Sequence, residues 1–387
     1  MKALLTKFFY ILLTCVSILS CREKNTTSLP APVIDTAPFN PASLTTKKEK
    51  EIYRACQAFY QKQFKYNPLN GGFLVAKNGK ILFEAYSGNL HYGANDSITM
   101  QTPMHIASTS KTFTAMGILY LIQQKKIFLN DSLQKFFPSF PYTGITVQTL
   151  LNHRSGLANY MNVMDPKNWK DKRVSNQDVL NFLIRQKPAL QGQPNRQFTY
   201  CNTNYVLLAL IIEQITQKKY AEFLKEIFFD PLGMINTSVC NGDTQRAFAP
   251  SYRSNGMEEA ITWLDDTYGD KNICSTPRDL LRWDQALYNN TLFTKETLNS
   301  AFSPYSFEKP GTHNYGLGWR MHLLKNNKKI IYHNGWWHGS NSSFYRIISD
   351  GITIIAIGNK MNKQIYKVKP LIEAISSVRF SGKDTDE

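Results

Sequence analysis

The chain has 387 residues, of which 42% are hydrophobic and 19% are charged, so it holds enough apolar material for a large core. Disorder is therefore not expected beyond the chain ends. The formal net charge is +16, but Lys and Arg are scattered, which favours a solvated basic surface and no nucleic-acid partner.

The first 21 residues have the features of a secretory signal peptide. Two lysines precede an apolar run over residues 8–19, which is too short to span a membrane. The run ends in Leu19-Ser20-Cys21, which resembles a bacterial lipobox, where the cysteine becomes lipidated. An ordinary secretory signal with a chance cysteine is the alternative. Residues 22–50 are proline-rich and are expected to form a tether. We therefore expect an exported lipoprotein, anchored through Cys21 to a membrane of the cell envelope.

The remaining elements are predicted in chain order. A helix from Glu49 to about Phe64 precedes a hairpin of residues 73–77 and 81–86, with Asn78-Gly79 as its turn. Helical patterns cover residues 110–124, 206–215 and 220–229. Strands are expected at 315–324, 329–335, 342–348 and 352–358, and a last helix at 368–378.

Strands at both ends of the chain with helices between them predict an α/β architecture of the α+β type. We expect one antiparallel sheet flanked by helices, with an inserted and mostly helical lobe at about 108–268. The domain is expected to span residues 51–380, and residues 381–387 form a tail.

The cysteines and histidines do not predict a metal site. Cys56, Cys201, Cys240 and Cys274 are widely spaced and form no C-x-x-C pair. Two interpretations stay open: two of these cysteines form a disulfide, or all four are buried free thiols. The seven histidines lack metal-binding spacing, so no metal or other cofactor is expected.

The strongest chemical motif is Ser108-Thr109-Ser110-Lys111, at the start of an apolar helix. Residues three apart share a helix face, so Lys111 can reach the Ser108 hydroxyl and accept or relay its proton. Free N–H groups in the first helical turn can stabilise a developing oxyanion. Ser132 and Ser306 begin the same pattern, but Ser132 occupies an ordinary capping position and Ser306 lies in a predicted loop. The pattern alone leaves a capping role open for Ser108 too.

The run HIASTSKTFTA, residues 105–115, resembles the active-site helix of the beta-lactamase-related serine hydrolases. That family includes class C beta-lactamases, D-Ala-D-Ala carboxypeptidases, D-aminopeptidases and esterases. Residues 150–157, 198–205, 231–234, 315–319 and 333–335 also resemble the family, in its order. The resemblance extends over about residues 51–380. It implies the fold of this family and makes Ser108 the acylated nucleophile, with Lys111 as its catalytic partner.

The second motif is Tyr200-Cys201-Asn202. The resemblance implies that Tyr200 is the general base or its proton relay, and that Asn202 binds the substrate amide. From the residues alone, the favoured interpretation is a buried tyrosine with a satisfied hydroxyl at Tyr200 and a helix N-cap at Asn202. Cys201 is expected to pack rather than to react.

The third motif is His333-Asn334-Gly335, on a predicted strand. The resemblance makes His333 and Gly335 part of the substrate-binding strand and places the oxyanion hole at the N–H groups of Ser108 and Trp336. A polar histidine on an edge strand is the alternative. The family often has lysine at the His333 position. Because histidine, with an ordinary pKa of about 6.5, is charged only in part near neutral pH, we expect a weaker preference for carboxylate substrates.

The sequence therefore predicts a serine hydrolase that acts through an acyl-enzyme on an amide, peptide or ester carbonyl. Peptidoglycan-like, beta-lactam and ester substrates all fit this chemistry, and no oligomeric state is assigned. The alternative is a non-catalytic or very slow penicillin- or cell-wall-binding lipoprotein of the same fold. An α/β-hydrolase would need G-x-S-x-G, which the sequence lacks.

Overall fold

The computed structural model describes residues 37–169, 172–240, 249–288, 292–325 and 328–380. The expected signal peptide, Cys21 and the 381–387 tail lie outside these residues. Residues 37–50 of the expected tether are described. There Leu44 is buried, and the first helix begins at Lys47 behind a Thr46–Glu49 capping box. Packed chain therefore begins before residue 51, because Leu44 adds to the apolar core.

Strands and helices are numbered in chain order. The strands are β1 Gly71–Lys77, β2 Lys80–Ser87, β3 Met104–His105, β4 Ser238–Val239, β5 Ile273–Ser275, β6 His313–Tyr315, β7 Arg320–Leu323, β8 Lys329–Trp337, β9 Ser340–Ile347 and β10 Ile352–Gly358. The α-helices are α1 Lys47–Gln63, α2 Ser110–Gln123, α3 Leu133–Phe136, α4 Val147–Leu151, α5 Tyr160–Val163, α6 Asn176–Gln186, α7 Asn202–Thr216, α8 Tyr220–Leu224, α9 Pro277–Ala286, α10 Lys295–Ala301 and α11 Lys369–Ile375. A 3₁₀ turn, Ala107–Thr109, leads into α2, and a π turn, Lys225–Phe229, follows α8.

The larger sheet is antiparallel and has the strand order β2-β1-β10-β9-β8-β7-β6. As predicted, Asn78 and Gly79 form the turn between β1 and β2, and both have positive φ, 50° and 80°. β7 pairs with β8 from Lys329 to Tyr332, whereas β9 pairs with β8 as far as Trp337. The edge of β8 that faces away from β9 is therefore not covered by β7 beyond Tyr332.

Each face of this sheet has its own hydrophobic core. Phe73 and Val75 point to the core that includes side chains of α1 and α11, while Leu74 and Ala76 point to the core of the helical lobe. Because β1 is buried on both faces, it is apolar at successive positions instead of alternating. Helices α2 and α7 are buried along most of their length in the lobe core.

Two strand predictions differ from the structure. The predicted strand at 315–324 is a hairpin of β6 and β7, because a tight turn closes where the Gly316 N–H donates to the Trp319 carbonyl at 2.7 Å. The small sheet β3-β5-β4 was not predicted, since strands of two or three residues leave no periodic pattern.

Of the two interpretations of the four cysteines, the structure shows one disulfide and two free thiols. Cys240, which follows β4, is bonded to Cys274 of β5, with the two Cα atoms 5.9 Å apart. Cys56 and Cys201 are free and buried, and burial raises the pKa of both thiols. Among the described residues, no helix combines the length and the apolar character that crossing a membrane requires.

Candidate active site

Ser108 lies in the 3₁₀ turn that leads into α2, where the lobe meets the large sheet. Its side chain is partly exposed, whereas Ala107 and Thr109 are buried. The turn is bonded to the sheet, because the Ser342 hydroxyl of β9 donates to the Ile106 carbonyl at 2.6 Å. The Thr109 hydroxyl also lies 2.8 Å from that of Ser342. Ser108 is thus held at a fixed place beside β8 and β9.

The residue before Ser108 has an unusual backbone. Ala107 has φ 49°, the left-handed region that costs an L-residue roughly 1–2 kcal/mol. Its N–H donates to Nδ1 of the buried His105 at 3.0 Å, and His105 Nε2 lies 2.7 Å from Oδ1 of Asn272. Since Nδ1 accepts, Nε2 carries the proton of the neutral ring. Burial lowers the pKa of His105 to about 4, so this arrangement persists at neutral pH.

Lys111 is fully buried one helical turn after Ser108. Its Nζ donates to Ser108 Oγ at 3.0 Å and to the Asp270 carbonyl oxygen at 2.6 Å. It also lies 5.1 Å from the ring centroid of Tyr200 and 5.6 Å from that of Tyr205. The predicted pairing of serine and lysine is therefore present, and the ring of Tyr200 lies near the same Lys111 Nζ.

The two competing serines have no such partner lysine. Ser132 occupies the N-cap position of α3, and the nearby Lys135 pairs with Asp131 at 2.8 Å. The Ser306 hydroxyl accepts a hydrogen bond from Arg154 at 3.3 Å. The structure thus separates Ser108 from the two serines that share its four-residue pattern.

Tyr200 and Asn202 flank the start of α7. Tyr200 is partly exposed and packs against the imidazole of His153, with ring centroids 4.3 Å apart. Asn202 is the first residue of α7, and Cys201, not Asn202, occupies the N-cap position, so the capping alternative for Asn202 is wrong. The Asn202 Nδ2 group lies 3.3 Å from the sulfur of Met161. Cys201 is buried and donates to the Leu157 carbonyl, as expected of a packing residue.

The strand β8 brings Gly335 and Trp336 close to Ser108. A Cβ placed on Gly335 would overlap the Ile106 carbonyl and lie 3.1 Å from the Ser108 backbone nitrogen. Only glycine therefore allows β8 to approach this turn so closely. The Trp336 side chain is 63% exposed, and its indole N–H donates to the His338 carbonyl at 2.7 Å.

His333 is fully buried on β8 and is not a charged group of the site. Its Nδ1 lies 2.8 Å from the Asn334 carbonyl, so Nδ1 is the donor and Nε2 can accept from the Tyr315 hydroxyl at 3.3 Å. Burial lowers the pKa of His333 well below its usual value, and the positive charges of Arg320 and Lys111 add to this effect. The partial charge expected from the sequence is therefore absent near neutral pH.

The sequence reasoning missed Arg320, the first residue of β7. Its guanidinium carbon lies 5.1 Å from the ring centroid of Tyr200, on a wall of a cleft of about 470 Å³. The cleft is also lined by residues 197–199 and by the loop from Ser306 to Asn314. Arg320 directly follows the Tyr315–Trp319 motif, and that adjacency was the available signal.

Metal ligands do not cluster in the described residues, where no three His, Cys, Asp or Glu side chains are grouped to hold an ion. The Asp270 side chain belongs to a separate buried network. Its Oδ2 accepts from the Tyr160 hydroxyl at 2.9 Å and lies 3.5 Å from Lys271 Nζ. Burial lowers the pKa of Lys271.

The sequence is similar to those of known proteins. The sequence profile of the family described as Beta-lactamase matches residues 58–372. Penicillin-binding protein 4* of Bacillus subtilis (strain 168) is 31% identical over 341 residues, which are 84% of this chain and 75% of that protein. The D-aminopeptidase of Brucella canis is 26% identical over 306 residues, which are 76% of this chain and only 57% of that relative.

Solved structures share the fold. A penicillin binding protein from Bacillus halodurans superposes with a TM-score of 0.72 at 22% identity, covering 86% of this chain and 100% of that one. A D-amino acid amidase from Ochrobactrum anthropi SV3, complexed with L-phenylalanine amide, superposes with a TM-score of 0.70 at 22% identity, covering 84% and 97%. The expected fold, an antiparallel sheet with flanking helices and a helical lobe, is therefore confirmed.

Proposed function

This chain belongs to the beta-lactamase family, and on that premise we propose that it is a serine hydrolase that forms an acyl-enzyme on Ser108. The observation that carries the proposal is the 3.0 Å hydrogen bond between Lys111 Nζ and Ser108 Oγ. A serine hydroxyl attacks a carbonyl only when its proton has an acceptor, and a positioned amine is such a group. Tyr200 is proposed to share the proton transfer, which is supported by the 5.1 Å between its ring centroid and Lys111 Nζ.

In the proposed reaction, Lys111 acts as a neutral amine: Ser108 Oγ bonds to the carbonyl carbon while its proton passes to Lys111 Nζ, directly or through the Tyr200 hydroxyl. The tetrahedral intermediate collapses, the bond to the leaving nitrogen or oxygen breaks, and that atom takes up the proton. Water then attacks the ester carbon of the acyl-enzyme and gives one proton to the same pair. The second tetrahedral intermediate breaks its bond to Ser108 Oγ, which takes that proton back, and the acid is released.

The oxyanion would be held by the backbone N–H groups of Ser108 and Trp336. Two features support this assignment. A Cβ on Gly335 would lie 3.1 Å from the Ser108 nitrogen, so the glycine lets β8 run close to it, and β7 leaves the edge of β8 open beyond Tyr332. Two preorganised backbone donors at the reacting carbonyl are the usual means of stabilising this intermediate. Asn202, at the start of α7, is proposed to bind the substrate amide.

We propose amides and peptides as the substrate class, with esters as accessible analogues. The names of the similar proteins include a D-aminopeptidase and a D-amino acid amidase, which supports an amide substrate with an amine or ammonia as the leaving group. His333 is neutral, but Arg320 places a positive charge at the cleft beside Tyr200. The proposal therefore includes an anionic substrate group bound in the cleft that Arg320 lines.

The proposed setting is the cell envelope, with the chain exported and anchored through a lipid on Cys21. The signal pattern of residues 1–21 supports this, and penicillin-binding proteins are among the relatives. Detergent-phase partitioning of the full chain and of Cys21→Ala tests the anchor. Partitioning of both proteins to the same extent would exclude Cys21 as the lipidated residue.

The test of the enzymatic proposal is intact-mass measurement after exposure to a fluorescent penicillin and to an activated ester. We expect an adduct on the wild type, none on Ser108→Ala, and at least about a 100-fold slower reaction for Lys111→Ala, because proton transfer contributes roughly 10²–10⁴-fold. Ser132→Ala is the matched control and should react like the wild type. An adduct that persists on Ser108→Ala would refute the choice of nucleophile. No adduct on folded wild type would favour the non-catalytic binding protein.

A further inference from the structure

Tyr200 lies on the loop from Gln191 to Cys201, and the residues before and after it each donate a backbone N–H to one residue. The Thr199 N–H donates to the His153 carbonyl at 2.8 Å. The Cys201 N–H donates to Nδ1 of the same histidine at 3.1 Å. His153 therefore brackets Tyr200 with its main chain on one side and its imidazole on the other.

The imidazole of His153 also packs against the phenol ring. The ring centroids of His153 and Tyr200 are 4.3 Å apart with an interplanar angle of 37°. His153 is fully buried, and burial lowers its pKa well below the usual value, with further contributions from the Lys111 and Arg320 charges. The ring is therefore neutral near pH 7, and Nδ1 stays available to accept from Cys201.

The backbone of residues 153–156 makes further hydrogen bonds to the same loop. His153 has φ 57°, so its carbonyl and its side chain can both face the loop. Next along the chain, the Arg154 carbonyl accepts from the Asn195 N–H at 2.7 Å, and the Gly156 carbonyl accepts from the Gln191 N–H at 2.7 Å. The turn from His153 to Gly156 thus holds the Gln191–Cys201 loop through hydrogen bonds to its backbone N–H groups.

We propose that His153 is a positioning residue for Tyr200, an inference that rests on the proposed role of Tyr200 in proton transfer. Among the described residues, no hydrogen bond joins His153 to Ser108 or Lys111, and in the proposed role His153 exchanges no proton in the reaction. It sets where the phenol group stands relative to Lys111 by fixing the neighbouring residues Thr199 and Cys201. A displacement of about 1 Å in such a group can cost on the order of 10²-fold in rate.

The experiment compares His153→Ala, His153→Asn and His322→Ala with the wild type. Asparagine tolerates positive φ, and its Oδ1 can accept from the Cys201 N–H. His322 is the matched control, because it is also a buried histidine stacked on a tyrosine, Tyr332, with centroids 4.8 Å apart, but it lies in the core on the opposite face of the sheet. The readouts are the rate of Ser108 acylation by an activated ester and the rate of tryptic cleavage after Arg196, an exposed residue of the loop.

We expect His153→Ala to slow acylation about 10- to 100-fold, with a fall in kcat larger than any change in KM, and to speed cleavage after Arg196. His153→Asn should recover most of the acylation rate, and His322→Ala should change neither readout more than about twofold. Acylation of His153→Ala at the rate of His322→Ala would overturn the proposal. If the wild type is not acylated, the proposed function fails, and unchanged cleavage after Arg196 in His153→Ala would then overturn the anchoring of the loop as well.

Discussion

Arg320 and His333 occupy neighbouring strands, but only Arg320 contributes charge at neutral pH. The side chain of His333 is buried between β8 and the lobe, where desolvation favours the neutral ring. Arg320 begins β7 and lines the cleft beside Tyr200. The residue that selects for substrate charge is therefore expected to be the arginine and not the histidine.

Replacement of Arg320 tests this assignment. We expect Arg320→Gln to lower kcat/KM for an ester that carries a carboxylate by roughly 10-fold or more, because a hydrogen bond to a charged group contributes about 1.5–3 kcal/mol. Hydrolysis of a neutral ester of equal size should change far less. Steady-state rates with the two esters measure the difference. Lys309→Gln, which removes the same charge elsewhere in the cleft, is the control. Equal losses in both variants would mean that only the net charge of the cleft matters.

For single residues, spacing along the sequence was sufficient to predict part of the candidate site. Ser108 and Lys111 could be paired from the sequence, because their contact depends only on helical geometry. The neutrality of His333 and the position of Arg320 could not, since both depend on how β7, β8 and the lobe pack together. The burial of one imidazole cannot be read from the residues beside it in the chain.

Among the elements, the hairpin of β6 and β7 is packed directly on α2 through one glycine. Gly318 has φ 89°, and a Cβ at this position would overlap the Cβ of Ala115 and lie 3.5 Å from the Lys111 carbonyl. The Gly318 N–H also donates to the Leu151 carbonyl of α4 at 3.2 Å. The glycine thus lets the hairpin, α2 and α4 meet behind Lys111.

Gly318→Ala should therefore destabilise the fold and move α2. We expect the free energy of unfolding to fall by about 2–4 kcal/mol, from left-handed strain and overpacking together. Gly93→Ala is the matched control, because Gly93 has φ 88° but no heavy atom within 4 Å of an added Cβ. It should lose only the conformational part, roughly 1–2 kcal/mol. Urea titration of both variants measures the two values, and equal losses would show that the contact with Ala115 is relaxed at little cost.

Long helices and strands were predicted more accurately than short ones. The hairpin at Asn78-Gly79 and the helices α1 and α2 were predicted to within about two residues, because several periodic positions define each one. The split of β6 from β7 and the pairing of β3 with β5 were missed. In the small sheet, His105 pairs with Cys274, far along the chain, so the contact that orients the Ser108 turn depends on tertiary structure.

For the whole molecule, three buried neutral histidines make stability depend on pH. Burial lowers the pKa of His105 to about 4 and holds the pKa values of His153 and His333 well below their usual range. The unfolded chain binds protons at these residues below about pH 6.5, while the folded chain does not. Since the unfolded state then binds more protons, the free energy of unfolding must fall as the pH falls.

Between pH 7 and pH 5 we expect a loss of about 2 kcal/mol for each of the three histidines. Urea titrations at the two pH values, in which carboxylates contribute little, measure the total. His153→Asn should reduce the loss by about a third. A free energy of unfolding that stays constant over this range would contradict the burial of neutral imidazoles.

The turn from His153 to Gly156 also affects which positions of the Gln191–Cys201 loop can vary in sequence. The loop beside it is held through its backbone, so its path depends little on its own side chains. Gln193, Arg196 and Gln197 are exposed on that loop, and Gln197 reaches the cleft. Substitutions at these three positions are expected to change what the cleft binds while Tyr200 keeps its place, so this exposed stretch can vary in sequence next to the proposed catalytic residues.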